Sequence, residues 1–333
     1  MPLASLLAIH ERESLYSGAN AAIWHSHRLA GELAKKRARE EDYVATLVTD
    51  GVGILAHRWA PMLRSKGIYL KLSGVFCHGH PQVSFGTPPS RVELADLLVV
   101  HQHTKASRKS ARAILLQAKM STNGTHSLSS SDAQLQLFRG WPPFEFVSGG
   151  LAPGMRLLKE KGRGSRYALV HDGVAYPEDI PWADQCPWAV SRADQKLTAD
   201  RSLARLLGDI LLNRDGRPFQ LGVPNDDWSR TIHELLKTTG QRTYKRANIG
   251  RGEVPRITEA FSSAPGLMLT FSQDYPFAQR SVSSRTSVLE RYFGGVAKVQ
   301  RGGEIPTYPS GEQSDGPDGG ISSLIIETAE GFE

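Results

Sequence analysis

Arg91-Val-Glu-Leu-Ala-Asp96-Leu-Leu-Val-Val100 and Ala113-Ile-Leu-Leu-Gln117-Ala-Lys119-Met120 are the two segments that decide the fold of this chain. Both are short runs rich in Val, Ile and Leu, which predicts two buried strands. Asp96 in the first strand, and Gln117 and Lys119 in the second, are polar groups whose burial needs a reason. Gln117 and Lys119 are two residues apart and therefore point to the same face of their strand. If the strands pair, an acid, an amide oxygen and an ammonium group converge, which predicts a site that holds a metal ion beside a lysine.

Length and composition limit the class of protein. The chain has 333 residues, of which 40% are hydrophobic, enough for two domains or one elaborated domain. No apolar run approaches the roughly 18 residues of a membrane span. The first residues lack the basic and long apolar regions of a signal peptide, and two cysteines make no disulfide framework. We therefore expect a cytoplasmic protein without a membrane segment. The net charge of +6 permits a polyanionic partner without requiring one.

An acidic helix start precedes the two strands. We predict a helix over residues 13–39, a second helix from Glu40-Glu41-Asp42 to about Arg64, and strands at 68–72, 75–77 and 82–85. Glu41 lies one turn before the apolar stripe that begins at Val44, so it can reach a site that this helix covers. Its alternative role is that of a favourable charge at the helix N-terminus.

Histidines near the strands raise a second metal hypothesis. Cys77-His78-Gly79-His80 and His101-Gln102-His103 contain zinc ligands, but neither segment has the paired spacing of a structural zinc site. Ordinary surface or strand-end histidines are the preferred interpretation.

A basic connector over residues 101–112 joins the two strands. It carries Lys105, Arg108, Lys109 and Arg112 and no acid, which predicts a flexible hairpin tip beside the proposed site. Contact with a nucleic-acid phosphate backbone and a plain solvated loop both agree with this composition.

The rest of the chain divides into a closing helix, a second region and a tail. Ser131 or Asp132 is a suitable N-cap for a short helix that ends at Phe138, and the aromatic segment 141–146 is expected to pack over the core. Strands are predicted at 166–171 and 266–272, and a helix at 198–212. From about residue 301 the composition is typical of a mobile tail, although the apolar residues 321–327 also suit an added strand or a partner contact. We predict a first domain at 1–148, an accessory partner- or substrate-binding region at 149–300 and a tail at 301–333.

The order of Glu41, Asp96 and Gln117-Ala118-Lys119 on helix, strand and strand resembles the PD-(D/E)XK restriction-endonuclease-like superfamily in its Q-x-K variant, over about residues 30–146. The segments Glu93-Leu-Ala-Asp-Leu-Leu and Ile114-Leu-Leu-Gln-Ala-Lys are similar to those of nucleases in bacterial defence and restriction systems. The resemblance implies an α/β core with a central mixed sheet flanked by helices, followed by an α/β or α+β region. It also implies metal-dependent hydrolysis of phosphodiester bonds, with DNA as the substrate and RNA as an alternative. Because a free nuclease would harm its host, we also expect control by a regulatory protein partner, a homo-oligomer or a ligand.

The resemblance assigns roles to the site residues. Asp96 would be the main ligand of Mg²⁺ or Mn²⁺, with the Gln117 amide oxygen and the Ala118 backbone carbonyl as further oxygen ligands. Lys119 would orient the attacking water or stabilise charge on the phosphate. Glu41 would ligate the metal directly or through water.

Two features of this site leave alternatives open. Gln117 stands where the family usually has a second acid, which favours one metal ion over two and also suits a nucleic-acid-binding or structural subunit with a decayed site. Asp96 and Lys119 also suit a structural ion pair, with Gln117 bonded to backbone. Glu93 is a second-rank carboxylate, because strict alternation along a continuous strand would face it away from Asp96.

Overall fold

The computed structural model of the chain describes residues 3–34, 37–77, 81–106, 108–148, 150–159, 162–172, 185–245, 266–272, 287–293 and 320–330. These residues form an α/β fold in which a large mixed sheet is flanked by helices. The strands are β1 (Ile68–Phe76), β2 (Gln82–Phe85), β3 (Ser90–Glu93), β4 (Leu97–Lys105), β5 (Arg108–Ser121), β6 (Thr125–Ser127), β7 (Phe144–Phe146), β8 (Ser165–His171), β9 (Trp188–Ser191), β10 (Lys196–Thr198), β11 (Arg201–Ser202), β12 (Arg217–Pro218), β13 (Thr243–Lys245), β14 (Gly266–Ser272) and β15 (Ser322–Glu330).

The large sheet joins strands from distant parts of the chain. Its order is β11-β9-β8-β5-β4-β15-β1-β14-β13, and β12 pairs with β5 beside β8. The pairs β4–β5, β8–β9, β9–β11, β5–β12, β1–β15 and β1–β14 are antiparallel, whereas β5–β8, β4–β15 and β13–β14 are parallel. The boundary predicted between residues 148 and 149 therefore falls between strands of one sheet.

Strand β15 corrects the prediction of a mobile tail over its described part. It lies between β4 and β1, and its residues are almost all buried. The alternative that the apolar residues 321–327 add a strand is confirmed, because their hydrophobic side chains complete the core on both faces of the sheet. Residues 301–319 and 331–333 of the predicted tail lie outside the described residues.

Helices cover both faces of the sheet. One face carries α1 (Ile9–Leu33), α2 (Glu40–Thr46), α3 (Val52–Arg64) and α5 (Leu203–Leu211). The other carries α4 (Ala133–Gly140), α6 (Asp227–Arg242), α7 (Val288–Phe293) and a small sheet of order β3-β2-β7. Each face is packed by its own apolar cluster, so the sheet separates two hydrophobic layers.

The predicted second helix is interrupted near its glycines. A π-helical turn at Leu47–Gly51 joins α2 to α3. Strand β1 passes directly against this turn, since a Cβ atom added to Gly74 would lie 1.6 Å from the Val48 carbonyl oxygen. Glycine at position 74 is therefore a steric requirement of the contact between turn and sheet.

The predicted strand at 91–100 and connector at 101–112 were both wrong in extent. Residues 94–96 separate β3 from β4, so Asp96 precedes its strand. Residues 101–105 and 108–112 continue β4 and β5 in register, from His101 opposite Arg112 to Lys105 opposite Arg108. Only a tight turn remains, with Ala106 at a φ of 50°.

The closing helix, the aromatic segment and the strand at 166–171 agree more closely with prediction, whereas the helix predicted at 198–212 begins only at Leu203, after strands β10 and β11. Asp132 caps α4 by accepting a hydrogen bond from the Leu135 amide at 2.8 Å. Trp141, Phe144 and Phe146 are buried against the core. No described helix combines the length and the apolar character that crossing a membrane requires. Both cysteines are buried and outside any disulfide bond, and a cytoplasmic location stays a prediction.

Candidate active site

Asp96 lies where β4 begins, against an unpaired stretch of β5. The Asp96 amide donates to the Leu116 carbonyl at 3.0 Å, and Leu97 is the first residue of β4, paired with Leu116. Beyond Leu116 the edge of β5 has no partner in β4. The buried Asp96 carboxylate fills part of this gap, because its Oδ2 accepts the Ala118 amide hydrogen bond at 2.6 Å. A buried amide without a strand partner needs such an acceptor.

Glu40 supplies a second carboxylate to the same edge. It is the first residue of α2, and its Oε1 accepts a hydrogen bond from the Met120 amide at 3.1 Å. Because alternate amides of a strand point to the same side, the Ala118 and Met120 amides face one edge, roughly 6.6 Å apart. Two carboxylates therefore bind successive amides of that edge, on either side of Lys119.

The structure brings Glu40, rather than the predicted Glu41, to β5. The Glu41 side chain is 36% exposed and lies 3.3 Å from the Arg39 guanidinium. Asp42 accepts the Arg39 amide hydrogen bond at 2.9 Å and so fixes the start of α2. The acidic run was a visible signal, but the choice among its members depends on how the helix is turned.

Gln117 is held by a residue that the sequence reasoning did not assign to the site. Its buried amide oxygen accepts a hydrogen bond from Gln134 Nε2 on α4, and the same nitrogen donates to the Glu93 carbonyl at 3.1 Å. The alternative in which Gln117 bonds to backbone is therefore wrong. A buried polar residue on the inner side of α4 was the available signal for Gln134.

Lys119 lies on the same strand face as Gln117 and is half-buried. Within the described part of the chain, the Lys119 ammonium forms no ion pair or hydrogen bond. Asp96 and Lys119 therefore do not form the structural ion pair considered as an alternative. A half-buried ammonium between two carboxylate-bound amides is chemically suited to an anionic ligand.

Glu93 belongs to a different sheet from the strand that Asp96 precedes. Glu93 ends β3, which belongs to the small sheet and pairs with Gln82 of β2. Because residues 94–96 interrupt the strand, alternation does not relate the direction of Glu93 to that of Asp96. Its place in the site stays a prediction.

The donor set at this edge suits a hard divalent cation. Asp96, Glu40 and Gln117 carry oxygen atoms, which Mg²⁺ and Mn²⁺ prefer, but Gln117 points to the sheet face covered by α4 and Glu40 comes from α2 on the opposite face. The Ala118 carbonyl faces the same edge as its amide, so it adds a fourth oxygen. Among the described residues, no group of three or more His, Cys, Asp and Glu side chains has the arrangement of a metal site. The candidate ligands are therefore the Asp96 and Glu40 carboxylates and the Ala118 carbonyl on this edge, with the Gln117 amide oxygen on the face covered by α4.

The predicted basic tip does not lie beside this site. Lys105 and Asp96 are nine positions apart along β4, which separates them by roughly 30 Å. Lys105 pairs with Glu330, and the Arg112 guanidinium donates to the Gly216 carbonyl at 2.8 Å. Arg108 is exposed and Lys109 half-buried. Their contact with nucleic acid stays a prediction, but it would be made at the opposite end of the sheet.

The buried pair His101 and His103 is bound by β15. His101 Nε2 and His103 Nδ1 lie 2.8 and 2.9 Å from the Thr328 hydroxyl, and His103 Nε2 lies 3.0 Å from the Glu330 carboxylate. Burial, followed by the charge of His103, lowers the pKa of His101 to about 3, so its ring is neutral. These contacts account for the histidines without zinc. Residues 78–80 of the other zinc hypothesis lie outside the described residues.

Comparison of the chain with protein-family models, with curated proteins and with solved structures found no match.

Proposed function

We propose that this chain is a Mg²⁺- or Mn²⁺-dependent nuclease that hydrolyses phosphodiester bonds, with DNA as its substrate and RNA as the alternative. One observation carries the proposal. Asp96 and Glu40 bind alternate amides on the unpaired edge of β5, on either side of Lys119. Carboxylates at such an edge repel a phosphate unless a cation offsets them, and the nearby ammonium favours an anionic ligand.

The residues at this edge have separate roles in the proposed reaction. A bound divalent cation would neutralise the phosphate and lower the pKa of a water molecule. Asp96 and Glu40 would hold the cation, with the Gln117 amide oxygen and the Ala118 carbonyl as further ligands. Lys119 would orient the attacking water or stabilise the negative charge on the phosphate.

Gln134 would act as a positioning residue. Its side-chain nitrogen donates both to the Gln117 amide oxygen and to the Glu93 carbonyl. The linked residues belong to strands β5 and β3. The orientation of the Gln117 side chain is thereby restricted, which a weak, neutral ligand needs. The similarity of the sequence segments to PD-(D/E)XK nucleases of bacterial defence systems supports the same function and adds a role in defence.

A nucleic-acid-binding or structural subunit with a non-catalytic site is the second candidate. Two observations favour it. No described group of three or more His, Cys, Asp and Glu side chains is arranged to bind a metal, and the Gln117 oxygen already accepts a hydrogen bond from Gln134. A site with two carboxylates holds a cation less firmly than one with three.

Cleavage of plasmid DNA and of RNA with Mg²⁺ or Mn²⁺, repeated with EDTA, tests the proposal. Asp96→Asn keeps an oxygen acceptor for the Ala118 amide while removing the charge, and Lys119→Ala removes the ammonium. Both should lower the cleavage rate by about 10²-fold or more. Glu32→Gln and Lys196→Ala, at exposed positions, are the matched controls and should cleave normally.

The outcomes separate the two candidates. Cleavage that survives both Asp96→Asn and Lys119→Ala in correctly folded protein would contradict the proposed site. Wild-type protein that binds nucleic acid in a salt-dependent, EDTA-insensitive manner, but cleaves neither DNA nor RNA, would support the binding subunit.

A further inference from the structure

An arginine-lined cavity opens on the edge of β5 that pairs with β8 and β12, across the strand from the carboxylates. It lies between the start of β8, the β5–β12 pair and the end of α4, and has a volume of about 610 Å³. Its charged lining consists of one acid, Asp215, and six arginines, which are Arg112, Arg139, Arg163, Arg166, Arg192 and Arg214.

The single acid of the lining is already neutralised. Asp215 Oδ1 accepts the Gly216 amide hydrogen bond at 2.6 Å, and its Oδ2 pairs with Arg201. Arg201 also pairs with Asp209 at 2.7 Å, so two acids and this arginine form a network of their own beside the cavity. The lining arginines gain little compensation from it.

Two of the arginines are held by backbone carbonyls. Arg112 on β5 donates to the Gly216 carbonyl at 2.8 Å, and Arg166 on β8 donates to the Ser165 carbonyl at 2.8 Å. Both side chains are partly buried. These contacts fix guanidinium groups of neighbouring strands at the cavity without supplying a negative charge.

The electrostatic cost of this arrangement is visible in the pKa values. Burial, followed by the charge of Arg163, lowers the pKa of Arg112. Burial, followed by the charges of Arg201 and Arg192, lowers the pKa of Arg166. Like charges held together in this way are stabilised by a bound anion.

The acids at the rim offset little of this charge. Arg139 lies 3.5 Å from Asp194, and Arg192 lies 3.8 Å from Asp200. The side chains of these pairs are 42–81% exposed, and exposed pairs of this kind contribute little stability. Their guanidinium groups are therefore available to a stronger ligand.

We propose that this cavity binds the phosphate groups of a polyphosphorylated ligand, either a free nucleotide or a single nucleic-acid strand. The planar guanidinium fork matches phosphate oxygens, and six arginines need several negative charges within a small volume. The cavity volume is that of a small-molecule site. The cavity lies on the edge of β5 that pairs with β8 and β12, whereas Asp96 and Glu40 bind amides of the opposite edge, so the two sites lie on different sides of the same strand. The inference goes beyond the proposed nuclease function and does not depend on it.

The test compares two variants with the same change in net charge. Arg192→Glu/Arg214→Glu alters exposed arginines of the cavity, whereas Arg28→Glu/Arg64→Glu alters exposed arginines of α1 and α3. Binding of ATP and of inorganic pyrophosphate is measured by calorimetry, and binding of a labelled 12-nucleotide single strand by fluorescence anisotropy, all in EDTA. Thermal unfolding checks that both variants fold.

We expect the cavity variant to bind at least one probe about tenfold or more weakly, with the control variant close to wild type. Loss confined to ATP and pyrophosphate identifies a free nucleotide as the ligand, and loss confined to the oligonucleotide identifies a nucleic-acid strand. Equal weakening in both variants, or no binding of any probe by wild-type protein at millimolar concentration, would overturn the inference. Asp96→Asn should bind all probes normally, so a failure of the nuclease proposal is distinguishable from a failure of this one.

Discussion

Comparison of the variants Glu40→Gln and Glu41→Gln gives the sharpest test of how the site is built. Both are adjacent glutamates at the start of α2, and both changes remove one negative charge. Only Glu40 contacts β5, through the Met120 amide at 3.1 Å, whereas Glu41 lies against the Arg39 guanidinium. The sequence pattern alone predicts that Glu41 is the site residue, whereas the tertiary structure places Glu40 there. The two variants therefore distinguish between these assignments.

The expected magnitudes follow from the contacts. A hydrogen bond to a charged group contributes about 1.5–3 kcal/mol, and glutamine keeps the acceptor oxygen but loses the charge, so Glu40→Gln should lower the free energy of unfolding by about 1 kcal/mol. Glu41 is 36% exposed and its pair with Arg39 is a surface pair, so Glu41→Gln should change stability by less than about 0.5 kcal/mol. In the proposed reaction Glu40 holds the cation, so Glu40→Gln should also weaken apparent Mg²⁺ affinity by roughly 10-fold or more.

The assay titrates Mg²⁺ against the rate of plasmid cleavage for both variants, alongside urea denaturation in EDTA. We expect the Mg²⁺ dependence to move to higher concentration in Glu40→Gln alone. Normal Mg²⁺ dependence in Glu40→Gln together with its loss in Glu41→Gln would refute the reasoning. It would mean that α2 presents Glu41 to the site.

Two further predictions concern stability. Gly74→Ala should lower the free energy of unfolding by more than about 3 kcal/mol in urea denaturation, because its Cβ would lie 1.6 Å from the Val48 carbonyl oxygen, a backbone atom that cannot turn away. Gly31→Ala is the control, since its Cβ would meet nothing within 4 Å, and a loss of stability equal to that of Gly74→Ala would contradict the steric argument. Acid should destabilise the fold, because burial lowers the pKa of His101 to about 3 and that of His27 to about 4, both below their ordinary value of 6.5. The unfolded chain then binds more protons, so stability present above about pH 6.5 is lost as the pH falls towards 4, by about 2 kcal/mol per histidine between pH 8 and pH 5. Equal unfolding free energies at pH 8 and pH 5 would show that these rings are not buried in neutral form.

Elements with a local signal were predictable from the sequence. The apolar alternation of β1, the Asp132 cap of α4 and the apolar run of β8 are each encoded within fewer than ten residues. The order of apolar and capping residues within each segment is enough to indicate which residues are buried and where the helix begins.

The connector at 101–112 was mispredicted because its partners are distant in sequence. Its polar residues suggested a loop, but His101 and His103 are buried against Thr328, more than 200 positions away. No local pattern reveals that a strand near residue 325 lies beside β4. Polar residues can be buried in a central strand only when such partners exist.

The sequence by itself determined the chemistry available to this protein. An aspartate, an amide and a lysine stand at fixed spacing on segments that form strands, and an acidic run begins the preceding helix. Only the tertiary structure decided that Glu40 rather than Glu41 meets β5, and that six arginines from separate elements line one cavity. The physical reason is that strand register and helix rotation are set by packing between elements far apart in the chain, whereas spacing along the chain constrains only neighbours within one element.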